Sequence, residues 1–218
     1  MSDKAPHRGA FITVEGADGA GKTTQLDFIE QWRVGRGIEV IRTREPGGTE
    51  VGEHLRGILL HRDDMPLSAD TELLLVFAAR QQHLDQLIRP ALGEGKWVIS
   101  DRFTDATYAY QGAGRGIDPG RIASLETWVQ LGFEPDLTIV LDVDVAVGIR
   151  RSDNRGEAAD RFEREDGAFK EAVRSCYLDR AVENSERIRV VDASGDKESV
   201  QRMLSELLDD FVRNQRLT

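Results

Sequence analysis

Phe11-Ile12-Thr13-Val14-Glu15-Gly16-Ala17-Asp18-Gly19-Ala20-Gly21-Lys22-Thr23-Thr24 reads as a strand that enters a glycine loop and continues as a helix. From Gly16 to Thr23 the spacing is G-x-x-x-x-G-K-T. Glycines there let successive backbone N–H groups turn inward around an anion; the lysine reaches the outer phosphates of a nucleotide, and the threonine hydroxyl can hold Mg²⁺. The helix that follows directs its positive end at the same point. A chance glycine-rich turn would lack the β-branched run before it and the amphipathic segment after it, in which Leu26, Ile29, Trp32 and Val34 recur among polar residues. The stretch from Gly16 through Ala17, Asp18, Gly19, Ala20, Gly21, Lys22 and Thr23 to Thr24 is thus the expected triphosphate cradle.

Outward from that loop, apolar runs alternate with helical periodicity, the pattern of a doubly wound α/β sheet. Five parallel strands are predicted, over Phe11–Val14, Glu39–Thr43, Trp97–Ser100, Leu137–Leu141 and Ile188–Val191. The last segment carries Val200, Met203, Leu204, Leu207, Leu208, Phe211 and Val212 on one face, a helix docked on the sheet. With 218 residues, one domain spanning 1–218 is the expectation, with a flexible start over 1–8. A net charge of −10 argues against attraction to nucleic acid or to an anionic membrane. The single cysteine, Cys176, excludes an intramolecular disulfide framework and fits a reducing compartment. The start of the chain has no apolar stretch of leader type, and the longest apolar run, Leu73–Ala79, is too short to span a bilayer. A soluble, cytoplasmic protein is therefore expected.

A phosphate loop is shared by switches, motors, transporters and small-molecule kinases, so other residues must decide among them. Thr43-Arg44-Glu45-Pro46-Gly47-Gly48-Thr49 puts an arginine and a carboxylate at the carboxyl end of the second strand, the edge where open α/β sheets bind ligands. Arg80 follows a run of seven apolar residues on a long helix; it either enters a site or marks where that helix meets solvent. Val98-Ile99-Ser100-Asp101-Arg102 ends a strand in an acid suited to Mg²⁺ and a base suited to bidentate grip on a phosphate. Asp142 ends another strand in the same way, but Asp101 is preferred because Arg102 and Tyr108-Ala109-Tyr110-Gln111-Gly112 lie beside it. Arg150, Arg151, Arg155, Arg161 and Arg164 crowd a hydrophilic interruption, read as a mobile lid over roughly 148–165 that brings an arginine to the transferred phosphoryl and excludes water. A solvated loop balanced by its own acids is the plainer alternative. No Asn-Lys-x-Asp occurs, which removes a guanine-dependent switch, and the four histidines show no metal-ligand spacing.

Taken together, these markers, with Ala78-Ala79-Arg80, Asp101-Arg102-Phe103, Tyr110-Gln111-Gly112 and Asp160-Arg161-Phe162-Glu163, resemble those of the bacterial thymidylate kinase family over nearly the whole chain. The resemblance implies transfer of the γ-phosphoryl of ATP to dTMP with Mg²⁺, by a homodimer. It implies that Asp18 contacts the sugar 3′-hydroxyl, Arg44 and Arg102 hold the acceptor phosphate, and Arg80 reads thymine. Thr107 and Gln111 would line the base pocket, with Tyr110 beneath the sugar, and Glu45 and Pro46 would border the acceptor. Gly19 stands where the eukaryotic type has an arginine, so Arg155 or Arg161 would supply the catalytic charge alongside Lys22 and Arg102. Thr23 and Asp101 would hold the metal. The family often places a phenylalanine four residues before the arginine to stack on the base; here that position is Val76, and Phe77, next to it, is turned about 100° away on a helix. Phe77 is carried as an acceptor contact on this ground alone. Another nucleoside monophosphate kinase, or an ATP-binding regulator, is the alternative.

Overall fold

In a computed structural model that describes residues 9–33, 36–61, 65–153 and 160–215, the run after Ala10 forms β1 (Phe11–Glu15), the central strand of a five-stranded parallel sheet. The expected flexible start over 1–8, and the positions of Val34 and Arg155, lie outside the described residues. The remaining strands are β2 (Val40–Arg44), β3 (Trp97–Asp101), β4 (Leu137–Asp142) and β5 (Ile188–Asp192), in the order β2-β3-β1-β4-β5. Register is set by pairs such as Val14 with Asp101 and Glu15 with Val140. Each strand runs one residue beyond the expected end, and β2 also starts one residue late, at Val40.

Alternation along β1 sorts its side chains between two layers. Ile12 and Val14 join Leu26 and Ile29 of α1 (Lys22–Arg33). Phe11 joins the opposite layer, with Leu73 and Phe77. On that side α2 (Glu50–His61) pairs with α3 (Ala69–His83), which continues through a π-helical turn, Leu84–Ile88, into α4 (Arg89–Gly93). Ser68 caps α3 by accepting from the Thr71 backbone N–H at 3.3 Å. After β3 come α5 (Thr104–Thr107), a π-helical stretch Tyr108–Gly114, and α6 (Pro119–Gln130). After β4, α7 (Val145–Asp153) leads to the turn at residues 160–165. Helix α8 (Gly167–Glu183), capped by Asp166, then runs back over the sheet.

The terminal helix α9 (Lys197–Gln215) docks as its stripe requires, with Val200, Leu204 and Leu208 buried against the α1 layer. Cys176 is half-buried on α8, and burial pushes its thiol up to about 11, which favours the protonated thiol. No described helix is long and apolar enough to cross a membrane.

Candidate active site

Two adjoining cavities open at the carboxyl ends of β1, β2 and β3, and Asp18, Glu45, Arg56, Arg102 and Asp160 line both. The first is the phosphate-loop side. Lys22 opens α1, and its Nζ donates to the Gly16 carbonyl at 3.2 Å and to that of Ala17 at 3.5 Å. Burial, then the neighbouring Arg102 charge, lowers its pKa. Gly19 sits at φ +77°, and a Cβ there would meet the Gly148 carbonyl oxygen at 2.0 Å, so α7 rests directly on the loop backbone. Thr23 and Asp101 line this cavity with Lys22 and Thr24. Asp101 Oδ1 is buried without a hydrogen-bond partner. The rival acid, Asp142, accepts from Arg174 Nε at 2.8 Å and Nη2 at 3.0 Å and is thereby committed.

Arg102 joins the two cavities. Its backbone is left-handed, with φ +73°, where the chain turns off β3. Its Nη1 donates to the Gly16 carbonyl at 3.1 Å and to the Tyr177 hydroxyl at 3.0 Å, while Nη2 donates to Asp18 Oδ1 at 2.9 Å. The guanidinium lies 4.6 Å over the Tyr110 ring, whose hydroxyl also donates to Asp18, at 3.4 Å. Arg44 is exposed on the phosphate side and ion-paired to Glu53 at 2.7 Å. Arg56, a residue the sequence reading did not single out, donates to the Pro46 carbonyl at 2.9 Å, in the turn that follows the cis Glu45–Pro46 bond. Burial, then the Arg44 charge, lowers its pKa. Its signal in the sequence is a charge on the stripe of Leu59 and Leu60, three and four residues on.

The second cavity is apolar on one wall and polar on the other. Leu59, Leu60 and Val76 form the first; Arg80, Thr107 and Gln111, all buried, form the second. Arg80 does not mark a helix reaching solvent, because only 1% of it is exposed. Its Nε donates to Glu45 Oε2 at 2.8 Å and its Nη2 to Thr107 Oγ1 at 2.9 Å, while Nη1 has no partner. Burial opposes ionisation of Glu45, but Arg80 and His83 overcome it and hold the carboxyl below its usual range.

Two expectations are corrected here. Phe77 does not border the cavity: it faces the core and supports Arg80 from below, its ring 4.8 Å from the guanidinium carbon. The rings that border the cavity are Phe103, Tyr110 and Phe162, the last set edge-on to Tyr110 at 5.4 Å and packed against the cluster that holds Val76. Nor does Arg161 approach the phosphate loop. Its backbone N–H donates to the Leu60 carbonyl at 3.3 Å and its Nη2 to that of Met65 at 2.9 Å, so the turn at residues 160–165 is fastened to the end of α2. Arg151, in contrast, lines the phosphate side and donates to the Ala193 carbonyl at 2.9 Å.

Behind the loop, Glu15 is wholly buried, accepting from the Phe103 N–H at 2.7 Å and from the Tyr177 hydroxyl at 2.8 Å. Burial, then the charge of Asp105, raises its pKa from 4.5 to about 8. A raised carboxyl favours folding while both states are protonated, and its ionisation in the unfolded chain erodes stability between pH 4.5 and about 8. Glu15→Gln keeps the acceptor for Phe103 and removes the titration. The melting temperature of the variant relative to the parent should therefore rise by roughly 8–15 °C between about pH 5 and pH 8.5. A constant offset across thermal melts in that range would refute the assignment.

A parallel sheet in this order, a phosphate loop on the central strand and a second cavity across the β1–β3 edge define the P-loop kinase type. The chain belongs to the thymidylate kinase family, whose model, described as "Thymidylate kinase", matches residues 14–204. It is 58% identical over 205 residues to the thymidylate kinase of Thiobacillus denitrificans, covering 94% of this chain and 98% of that one. To that of Pseudomonas syringae pv. tomato it is 52% identical over 208 residues, covering 95% and 99%. Among solved structures, thymidylate kinase from Ehrlichia chaffeensis superposes with a TM-score of 0.73 at 33% identity, over 93% of this chain and 99% of that one.

Proposed function

We propose that the protein transfers the γ-phosphoryl group of ATP to dTMP, giving ADP and dTDP, within one P-loop kinase domain spanning 1–218. The observation that carries this reading is the unpartnered Nη1 of buried Arg80 at a cavity that shares Asp18, Arg56 and Arg102 with the phosphate-loop cavity. A buried donor of fixed orientation suits a base carbonyl such as O4 of thymine. Val76 and Phe162 enclose the apolar side of the base, and Tyr110 and Asp18 take the sugar.

The acceptor phosphate oxygen is already a nucleophile, so no general base is assigned. What the protein supplies is alignment and charge. Arg102, with Arg44 and Arg56, holds the acceptor phosphate in line, and Lys22 compensates charge on the donor. The orphan Oδ1 of Asp101 and the Thr23 hydroxyl fit Mg²⁺, with Asp101 acting directly or through the ion's waters. When bound, the ion neutralises charge on the phosphates. With Arg161 engaged by Met65, we assign the catalytic lid arginine to Arg155, which lies outside the described residues.

A homodimer is supported by the exposure of Leu74 on α3 and of Trp128 and Leu131 at the end of neighbouring α6, large apolar side chains that a second copy would cover. We place the enzyme in the cytoplasm, where ATP is supplied and Cys176 stays reduced. The direct test is ADP release with ATP and Mg²⁺ against dTMP, dUMP, UMP, dCMP, AMP and GMP. dTMP should be the best acceptor, and dUMP, lacking one methyl, should be about 10- to 200-fold poorer in kcat/KM. Preference for a purine or cytosine nucleotide would overturn the base assignment.

A further inference from the structure

The reading of Arg80 leaves unexplained a fully buried histidine behind it. His83 sits three residues after Arg80, on the last turn of α3, with 0% exposure. Its Nδ1 lies 3.0 Å from Glu45 Oε1, and its Nε2 lies 2.7 Å from Thr43 Oγ1. A carboxylate only accepts, so Nδ1 carries the proton in that bond. The chain of contacts therefore runs Thr43, His83, Glu45, Arg80, Thr107, and every member is buried. Arg80 lines the cavity, and Nη1 is the nitrogen of its guanidinium left without a partner.

The loop after β2 is built around this chain. Gly48 has φ +78°, and a Cβ there would lie 2.5 Å from both His83 Nε2 and Thr43 Oγ1. The second glycine of Pro46-Gly47-Gly48 thus lets the backbone cover the His83–Thr43 hydrogen bond. Glu45 occupies one oxygen with His83 and the other with Arg80, so the histidine fixes the plane of the carboxylate, and that plane fixes where the Arg80 fork points. An arginine with two to three free rotamers would read a base poorly; one locked on two sides presents a single donor.

Resting on the assignment of this cavity to the acceptor base, we propose that His83 is a positioning residue for acceptor choice: through Glu45 it locks Arg80 so that Nη1 selects a base with a carbonyl, not an amino group, on the facing edge. His83 touches neither substrate. Its loss should therefore fall on acceptor recognition while leaving the ATP side alone.

The experiment compares the full-length protein with His83→Leu and His83→Asn, measuring kcat and KM for dTMP and for ATP, the dTMP:dCMP ratio of kcat/KM, and thermal stability. His83→Leu should raise the KM for dTMP about 10- to 100-fold and lower the dTMP:dCMP ratio about tenfold or more, with the KM for ATP unchanged. His83→Asn, whose amide N–H can take the place of Nδ1–H toward Glu45, should recover most of both. A merely structural histidine would lower the melting temperature and leave the ratio untouched; that outcome, or no better performance from Asn than from Leu, overturns the proposal. If His83→Leu does not fold, Thr43→Val removes only the hydroxyl that orients the ring. It should move the KM for dTMP and the ratio in the same direction, and an unchanged pair of values overturns the proposal equally. A parent enzyme that ignores dTMP would instead sink the acceptor assignment on which it stands.

Discussion

Replacing Lys22 by alanine should cut kcat by about 10²- to 10³-fold while the protein stays folded. The ammonium is held over the loop by the carbonyls of Gly16 and Ala17, so its position is set by backbone and not by a flexible partner. It is half-buried beside Arg102, and desolvation, then that charge, lower its pKa, so its attraction for phosphate oxygens is screened less than that of a surface lysine. Charge that develops in the transition state would lose this compensation, whereas the backbone N–H groups of the loop would still bind the ground-state nucleotide. The loss should therefore appear in kcat far more than in the KM for ATP. Lys22→Arg should rescue little, since a planar fork cannot replace a compact point charge in a loop built for one. Steady-state kinetics with thermal melts of both variants check this, and a kcat for Lys22→Ala within tenfold of the parent would remove Lys22 from the catalytic group.

Asp105→Ala should cost the largest amount of stability of any single change considered, about 3–5 kcal/mol. Asp105 is only 1% exposed and lies on α5, just beyond Arg102. It accepts from Arg180 Nε at 2.6 Å and from Arg187 Nη1 and Nη2 at 2.7 and 3.0 Å. Removing the carboxylate leaves two largely buried guanidinium groups without their shared counter-charge. For a chain of this size the melting temperature should fall by roughly 6–20 °C. Burial opposes ionisation here, but Arg187 and Arg180 outweigh it and hold the folded pKa below 3.8. A depressed carboxyl stabilises above its unfolded pKa, and that contribution is lost as pH falls through the folded value. The gap between parent and variant should thus narrow when melts are taken near pH 3 instead of pH 7. A shift of less than about 2 °C at pH 7 would show that the arginines find other partners.

The strands were legible because they are apolar runs, and they were cut one residue short for a single reason. Glu15, Arg44, Asp101, Asp142 and Asp192 each end a strand with a polar side chain at the edge where ligands bind. Hydrophobicity stops at such a residue, while the backbone ladder continues through it. The placement of the loop lysine, Asp101 and Arg102 at the cavities could be read because each stands in a local pattern that needs no knowledge of what folds beside it, whereas the apolar run before Arg80 left a cavity and solvent both open. Arg56, Tyr177 and His83 could not be read. Their roles come from partners remote in sequence or from the cis turn after β2, and nothing adjacent to them announces the contact. Phe162 and Arg161 show the limit of a cluster: the sequence marks the lid turn as functional, but which of two neighbouring side chains faces the cavity depends on how the turn closes on Leu60.

The meeting of Gly19 with Gly148 makes the phosphate loop and α7 a matched pair. A side chain on Gly148 would strike the Asp18 carbonyl at 2.6 Å, just as one on Gly19 would strike that of Gly148. A segment grafted in place of α7 would therefore carry a requirement that the loop signature does not state. A graft that brings any larger residue to position 148 would push on the loop backbone at Asp18, so one added methyl group would shift the loop even where every arginine of the segment is kept.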